Sequence, residues 1–314
     1  MGISDKHVPK GFTDRTTLPA SLDEQRRWQE ANRRWWQSHP MRYDWREKID
    51  HREFSREFFE EIDRRFFSQV YEYMPWARVP FDPLIDFDQL QHMDVLEIGV
   101  GNGSHAALLA QHSRSFTGID LTDYAVESTS HRLKAFGLAG TVRQMDAEQM
   151  DFADQSFDFV WSWGVIHHSS DTRKILREIA RVLRPGGRAV TMVYHRSIWN
   201  YYLVGGFVHG VLRGRIFNAK SLHELVQSHT DGAIARYYSK AEWRDLVSEF
   251  FAVDAIRIFG AKVELLPLPA ASLKTGIGAI LPSRLARFFT NTCAFGGFLV
   301  SSLSPADYNH TISD

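Results

Sequence analysis

The sequence predicts an α/β protein built on a doubly wound, mostly parallel sheet of seven strands, with a helical cap before it and two helical insertions in its second half. Three observations predict this. Between about residue 76 and residue 195, short apolar runs alternate with stretches of helical periodicity, as strands joined by crossover helices do. A glycine-rich turn, Gly99-Val100-Gly101-Asn102-Gly103, follows the first apolar run directly. After a break, the alternation resumes near residue 241 and closes on a last apolar run at 297–303. The chain accordingly divides into a flexible lead (1–20), a cap (21–75), a main domain (76–303) with insertions at 196–240 and 261–294, and a tail (304–314).

In the cap, Trp28, Trp35, Trp36, Tyr43, Trp45, Phe54, Phe58, Phe59, Phe66 and Phe67 recur mostly at intervals of three, four and seven. That spacing predicts two amphipathic helices around a turn near His39-Pro40. Strands are expected at Val95–Ile98, Ser115–Ile119, Thr141–Met145, Phe157–Ser162, Arg188–Val193, Phe251–Phe259 and Gly297–Leu303. A helix after Asp171 presents Ile175, Leu176, Ile179, Val182 and Leu183 on one face, with Asp171 as its cap. Arg184-Pro185-Gly186-Gly187 should stop it, because proline cannot continue the ladder. A helix is expected at Ala241–Phe250 and a short amphipathic stretch at Leu285–Thr290.

With 37 Lys and Arg against 38 Asp and Glu, 44% hydrophobic residues and a net charge of −1, the composition excludes a disordered chain, a collagen and a strongly basic nucleic-acid binder. The lone cysteine, Cys293, excludes a disulfide framework and a cysteine-rich metal site. Residues 1–12 lack the apolar core of a secretory signal, and Lys6 stands where myristoylation requires Ser or Thr, so a cytoplasmic address is expected. The longest uncharged run, Ser197 to Leu212, is too short and too polar to span a bilayer and reads as a buried or interfacial helix. The aromatic content is high, with 9 Trp, 10 Tyr and 22 Phe.

The chemistry concentrates at Val95-Leu96-Glu97-Ile98-Gly99-Val100-Gly101-Asn102-Gly103-Ser104-His105, an apolar strand feeding a glycine turn that opens a helix. Such a turn lets a ligand lie against bare backbone, and the helix N-terminus behind it favours a carboxylate or phosphate. Asp120 ends the next strand, where an acidic residue meets ribose hydroxyls in nucleotide-binding α/β units. The spacing departs from a dinucleotide fingerprint, since Ser104 stands where a third glycine or alanine is required. Glu97, two residues before the first glycine, suits an ammonium group. A ligand carrying an α-ammonium and an α-carboxylate beside a nucleoside satisfies all three features.

Here the sequence resembles the class I S-adenosylmethionine-dependent methyltransferases, in particular the small-molecule group similar to ubiquinone and menaquinone biosynthesis enzymes. The resemblance rests on Leu96–Gly103, Gly118-Ile119-Asp120-Leu121, Gln144-Met145-Asp146-Ala147-Glu148, Ser156–Val160 and Arg181–Gly187, and covers roughly residues 93 to 195. It implies a Rossmann-like fold with S-adenosyl-L-methionine as cofactor. It also implies that Glu97, Gly99, Gly101, Asn102 and Gly103 border the methionine part, Asp120 takes the ribose and Leu121 packs on adenine. Asp146 and Ala147 would meet the adenine edge, Trp163 would border the site, and Tyr43 would close over the cofactor.

In an open parallel sheet the ligand crevice lies beyond the carboxyl ends of the strands, so the acceptor belongs near the fourth and fifth. The fourth is followed by Trp163-Gly164-Val165-Ile166-His167-His168. Adjacent histidines put one imidazole toward the crevice whichever way the turn faces, and a neutral imidazole can take a proton from the acceptor. His168 and His167 are therefore the catalytic candidates, with a role in capping or shaping the pocket as the alternative, and His195 is a third. No carboxylate occupies that turn, so no metal site is expected there.

Acceptor choice falls to the appendages. Trp28, Trp35 and Trp36 are expected to bury the helix pair against the sheet, and the excess of Arg and Lys between residues 25 and 48 to form a solvated face. Trp199–Val208 reads as a hydrophobic lid or channel wall which, with Leu265-Leu266-Pro267-Leu268 and Phe288-Phe289, suggests a greasy acceptor or transient contact with a membrane surface. The resulting expectation is a methyltransferase acting on an oxygen or carbon of a small hydrophobic or amphipathic acceptor, with no nucleic-acid partner. An RNA or protein methyltransferase and a non-catalytic cofactor-binding scaffold are the alternatives.

Overall fold

A computed structural model describes residues 8–44, 47–211, 219, 221–267, 277–278 and 280–306. Trp45, Arg46, Leu268, residues 1–7 of the lead and residues 307–314 of the tail lie outside the described residues.

Helix α1 (Leu22–Ser38) begins at Ser21, whose side chain accepts from the Glu24 backbone, and α2 (Arg56–Tyr73) begins at Ser55 in the same way. Both caps are residues with a hydroxyl that satisfies an orphan N–H of the first turn. The expected turn at His39-Pro40 is where α1 ends, because the residue before a proline is pushed out of helical geometry. The connection that follows is longer than a turn, running to Ser55 with Tyr43 and Phe54 at positive φ.

Past α3 (Phe87–Leu90), the chain alternates β1 (Asp94–Ile98), α4 (Ser104–His112), β2 (Ser115–Asp120), α5 (Asp123–Phe136), β3 (Thr141–Gln144), β4 (Phe157–Trp163), α6 (Thr172–Val182) and β5 (Leu183–His195). A π-helical stretch (Ile198–Val211) and α7 (Leu222–Gln227) lead to β6 (Tyr237–Tyr238), α8 (Lys240–Ser248) and β7 (Phe251–Phe259). The second insertion contributes α9 (Ser283–Arg287), which continues as π-helix over Phe288–Thr292 into β8 (Phe298–Pro305). The sheet runs β3-β2-β1-β4-β5-β8-β7, parallel except for β8, which is antiparallel to β5 and β7. The order reverses beside β1, as in a doubly wound sheet. An eighth strand beyond the expected seven, the two-residue β6, pairs with the end of β5; two residues carry too little periodicity to announce a strand.

The Arg184–Gly187 segment sits differently from expectation. α6 already ends at Val182, with Asp171 capping its start as expected, and β5 begins at Leu183. Pairing with β4 jumps from Leu183↔Phe157 to Arg188↔Phe159, so the proline and glycines form an irregularity within the strand edge, and continuous pairing starts at Arg188.

Alternation along the strands sends side chains to two cores. Leu96, Ile98 and Val160 meet Ile175, Leu176, Ile179 and Val182 of α6 and Trp243 of α8. Val95, Phe159, Trp161, Val190 and Val300 meet Leu109 of α4 together with Phe66, Val70 and Tyr73 of α2. Thus α2 is a layer of the fold and not an ornament on it. Its attachment is also polar: Arg132 of α5, fully buried, donates to both carboxylate oxygens of Asp63 at 2.8 Å and to the Asn102 carbonyl at 2.7 Å, and its guanidinium lies over the Phe59 ring. The lead packs on α1 in a separate small cluster with Ile234, with Phe12 edge-on to Trp28 and Trp28 Nε1 donating to the Lys10 carbonyl.

Removing one member of a buried ion pair strands the other, so Arg132→Ala should lower unfolding free energy by about 3–5 kcal/mol. Urea denaturation followed by tryptophan fluorescence measures this; a loss below about 1 kcal/mol would show that α2 is held by apolar contacts alone.

Candidate active site

The carboxyl ends of β1, β2, β4 and β5 open onto a cavity of about 330 Å3, roofed by α1, α2 and the connection between them. At its floor the chain leaves β1 through Gly99, Gly101 and Gly103, at φ of +82°, +54° and +79°. A side chain on Gly99 would come within 2.2 Å of Val165, and Gly103 occupies the left-handed cap position of α4. Glycine is therefore required at both by sterics.

Asp120, at the end of β2, accepts from the Gly101 amide at 3.2 Å and from the Thr122 amide and hydroxyl at 2.9 Å each. Burial raises its proton affinity, and these hydrogen bonds oppose the rise. Asn102 donates to the Met41 carbonyl at 2.7 Å and accepts from Ser128, fixing the turn to the cap connection. After β3, Asp146 accepts from the Glu148 amide at 2.9 Å and from Gln29 of α1 at 2.8 Å.

Of the residues singled out in the sequence, Gly99, Gly101, Asn102, Gly103, Asp120, Leu121, Asp146, Ala147, Trp163, Tyr43 and His168 all border this cavity. Glu97 and His167 do not. Glu97 lies just behind the wall, 1% exposed, with one carboxylate oxygen lacking a hydrogen-bond partner among the described residues. Its burial, and next the neighbouring Asp120 charge, push its carboxyl well above the usual range. A buried carboxylate with an open oxygen is a site for a cation or a donor.

The two histidines after β4 separate. His168 borders the cavity; its Nδ1 lies 2.6 Å from the Ile234 carbonyl, which makes Nδ1 the donor and Nε2 the nitrogen with the lone pair. Its ring meets Trp36 edge-on, and Gly232 leaves it room, since a Cβ there would fall 2.4 Å from Nδ1. His167 points the other way, fully buried against Tyr194 with neither ring nitrogen hydrogen-bonded among the described residues, and burial holds its pKa far below normal. His195 is likewise buried, with Nδ1 at 2.8 Å from the Gly296 carbonyl, and lies outside the cavity wall.

Several expectations for the appendages change. Trp28 is buried in the cap and Trp35 stacks on His39, but Trp36 faces the cavity. The basic excess of the cap forms the expected solvated face, with Arg26, Arg27, Arg34 and Lys48 exposed, while Arg33 and Arg34 share Glu30 and Arg42 pairs with Glu53. Among the described residues, none of Ile198–Val211, Leu265–Pro267 or Phe288-Phe289 lines the cavity, and of the two insertions only Ala261 does. The walls come instead from Ile62, Phe66 and Tyr73 of α2, Met192 and Tyr194 of β5, and Phe298 of β8.

Among the lining residues not singled out from sequence are Gln29, Asn32 and His105. Gln29 and Asn32 reach inward from α1, Gln29 to Asp146 and Asn32 to the His168 carbonyl and the Ile234 amide. The available signal was a polar pair on the same helical face as Trp28 and Trp36. His105 is the second residue of α4, its Nδ1 3.6 Å from Glu97 and its ring enclosed by Phe66, Phe81, Trp161 and Trp163. Burial, and next the Arg132 charge, push its pKa down to about 3.

Residues 96–191 match the family described as a methyltransferase domain. Over 97 residues the chain is 37% identical to the 27-O-demethylrifamycin SV methyltransferase of Amycolatopsis mediterranei, covering 30% of this chain and 36% of that protein. Over 95 residues it is 40% identical to the phthiotriol/phenolphthiotriol dimycocerosates methyltransferase of Mycobacterium tuberculosis, covering 30% and 34%. The core is a class I S-adenosylmethionine-dependent methyltransferase domain. The matches span about a third of these relatives' lengths. A geranyl diphosphate C-methyltransferase from Streptomyces coelicolor A3(2), solved with Mg2+, geranyl diphosphate and S-adenosyl-L-homocysteine, shares the fold at a TM-score of 0.53 and 14% identity over 92% of this chain and 99% of that one. Among the described residues no helix is long and apolar enough to cross a membrane.

Because His105 is neutral when folded and protonates near pH 6.5 when unfolded, its contribution to stability is present above pH 6.5 and is lost as pH falls toward 3. The melting temperature of His105→Gln should therefore depend less steeply on pH between 6.5 and 3 than that of the wild type. Parallel melting curves over that interval would show that the imidazole is not buried neutral.

Proposed function

We propose that this protein transfers a methyl group from S-adenosylmethionine to an oxygen or carbon of a small, largely hydrophobic acceptor held between the strand ends and the cap. The observation that carries the reading is the division of the cavity, with acidic and glycine-backbone groups at the β1–β2 end and aromatic and aliphatic side chains toward β5, β8 and α2. The residues present fit the cofactor. The open oxygen of Glu97 suits an ammonium, no atom lies within 4 Å of where a Cβ on Gly101 would stand, and Asp120 offers a half-buried carboxylate that lines the cavity. Gln29 already places an amide N–H on Asp146, the kind of donor an adenine amino group also supplies.

When bound there, S-adenosylmethionine supplies a methyl group made electrophilic by positive sulfur. The chain's own work is alignment, which can lower a barrier by about 7–11 kcal/mol. Trp163 and Gly164 border the space between the two ends of the cavity, and Tyr43 and Trp36 close it from the cap. His168 is the base: its Nδ1 is committed to the Ile234 carbonyl, so Nε2 takes the proton an acceptor hydroxyl loses. Two curated relatives named above act, by their names, on rifamycin and dimycocerosate compounds, which supports a small or lipid-like acceptor.

Isothermal titration with S-adenosylmethionine tests the reading, and absence of binding removes it. Asp120→Ala should weaken that binding about tenfold to a hundredfold, as loss of charged hydrogen bonds worth about 1.5–3 kcal/mol requires. With an acceptor found as a methylated product in extracts supplied with cofactor, His168→Ala should lower kcat about a hundredfold while leaving cofactor affinity within twofold; unchanged turnover would leave alignment as the only contribution.

A further inference from the structure

The two apolar insertions, turned away from the cavity, leave a surface that the proposed chemistry does not use. Along the π-helical stretch the exposed side chains are Ile198 (77%), Tyr202 (41%), Phe207 (52%) and Val211 (46%). Their spacing of four, five and four matches a helix whose i→i+5 bonding makes each turn a little over four residues long, so they form one stripe along one side. The opposite side is buried through Tyr201 and Val208. A second exposed group, Leu285, Phe288 and Phe289, follows i, i+3, i+4 spacing on α9 and its continuation. The two groups are tied together, since Trp199 stacks on Phe295 and Phe295 on Phe289, while Asn200 donates to the Phe295 carbonyl at 2.8 Å.

The charge pattern says what covers this face. In a chain with more acidic than basic residues, no Asp or Glu occurs from residue 179 to 223 or from 265 to 306, the two stretches that carry the stripe, and Arg284 is exposed beside Leu285. An apolar stripe with Arg284 exposed beside it, and with the neighbouring carboxylates Glu264 and Glu242 engaged by Asn200 and by Arg196, is complementary to an anionic lipid headgroup layer over an apolar interior. A two-fold contact with a second copy would instead set the same cationic face against itself. The surface also abuts the cavity wall. Asn291 donates to the Tyr73 carbonyl at 3.4 Å and Arg287 to that of Glu72, while Trp76, 54% exposed, lies in the turn just past the end of that helix. Tryptophan at such a boundary is typical of a membrane–water interface.

We propose that the stripe of Ile198, Tyr202, Phe207 and Val211, together with Leu285, Phe288 and Phe289, docks the protein on an anionic phospholipid bilayer. The docking stands on the surface alone; its use, delivery of an apolar acceptor past Tyr73 and Phe298, rests on the function proposed above.

Co-sedimentation of the full chain with vesicles of phosphatidylcholine alone, and of phosphatidylcholine with an equal part of phosphatidylglycerol, tests this. The wild type should pellet with the anionic vesicles, less with the neutral ones and less in high salt. The exposed double variant Phe207→Ser/Phe288→Ser should lower partitioning about tenfold or more, since two phenylalanines no longer leave water. Arg284→Glu should lower it several-fold on anionic vesicles only. Circular dichroism and unchanged S-adenosylmethionine titration keep these variants interpretable as surface changes. No pelleting of the wild type, or equal pelleting of the double variant, overturns the proposal. So does a wild-type dimer in sedimentation velocity that the double variant dissociates without any vesicle binding, which assigns the face to a second copy. Vesicle binding by a chain that does not take up S-adenosylmethionine leaves the docking intact and removes the proposed function, and the reverse result separates the two equally well.

Discussion

Three left-handed glycines at the end of β1 set the geometry on which the rest of the site depends. They bring bare backbone to the mouth of the sheet at the place where the strand order reverses, and no residue with a Cβ fits at Gly99 without displacing Val165. The turn is pinned from both sides. Asp120 accepts from its Gly101 amide in front, and Arg132 donates to its Asn102 carbonyl from behind while gripping Asp63 of the cap. A single buried guanidinium therefore couples the position of the glycine turn to the position of the helix layer over it.

That coupling explains why the cap is part of the fold. Phe66, Val70 and Tyr73 fill one face of the sheet, and the same helix supplies Ile62, Phe66 and Tyr73 to the cavity wall. Residues that stabilise the domain also shape the acceptor end of its pocket. A substitution in α2 thus changes stability and pocket shape together, whereas α1 touches the site through the amides of Gln29 and Asn32 and the ring of Trp36.

The electrostatics of the cavity are one-sided. Glu97 is a buried carboxylate and Asp120 a half-buried one, each raised in proton affinity, with Glu97 raised further by the charge of Asp120. Nearby imidazoles do not offset them, because His105 is itself held neutral by burial and by Arg132. A positively charged ligand relieves this imbalance at the end of the cavity where the glycine turn lies, and the aromatic remainder of the wall has no comparable demand.

The sequence by itself determined the sheet and the polar end of the site. Apolar runs of strand length between helical periods, a glycine turn, Asp120 and Asp146 all act locally, through backbone sterics and the direction of adjacent side chains, so position along the chain suffices to read them. It also put one of two adjacent histidines at the cavity, and only packing decided that His168, held by the Ile234 carbonyl, is that one and His167 is buried behind it. Contacts between segments far apart in the chain were out of reach for the same reason: Gln29 with Asp146, His105 with Glu97, and Arg132 with Asp63 have no common period. The first insertion shows the limit most clearly. Its apolar residues suggested a wall facing inward, but their spacing follows a π-helix, and which side of that helix meets the domain is decided by what it packs against. Tertiary structure buried Tyr201 and Val208 and left Ile198, Tyr202, Phe207 and Val211 facing out.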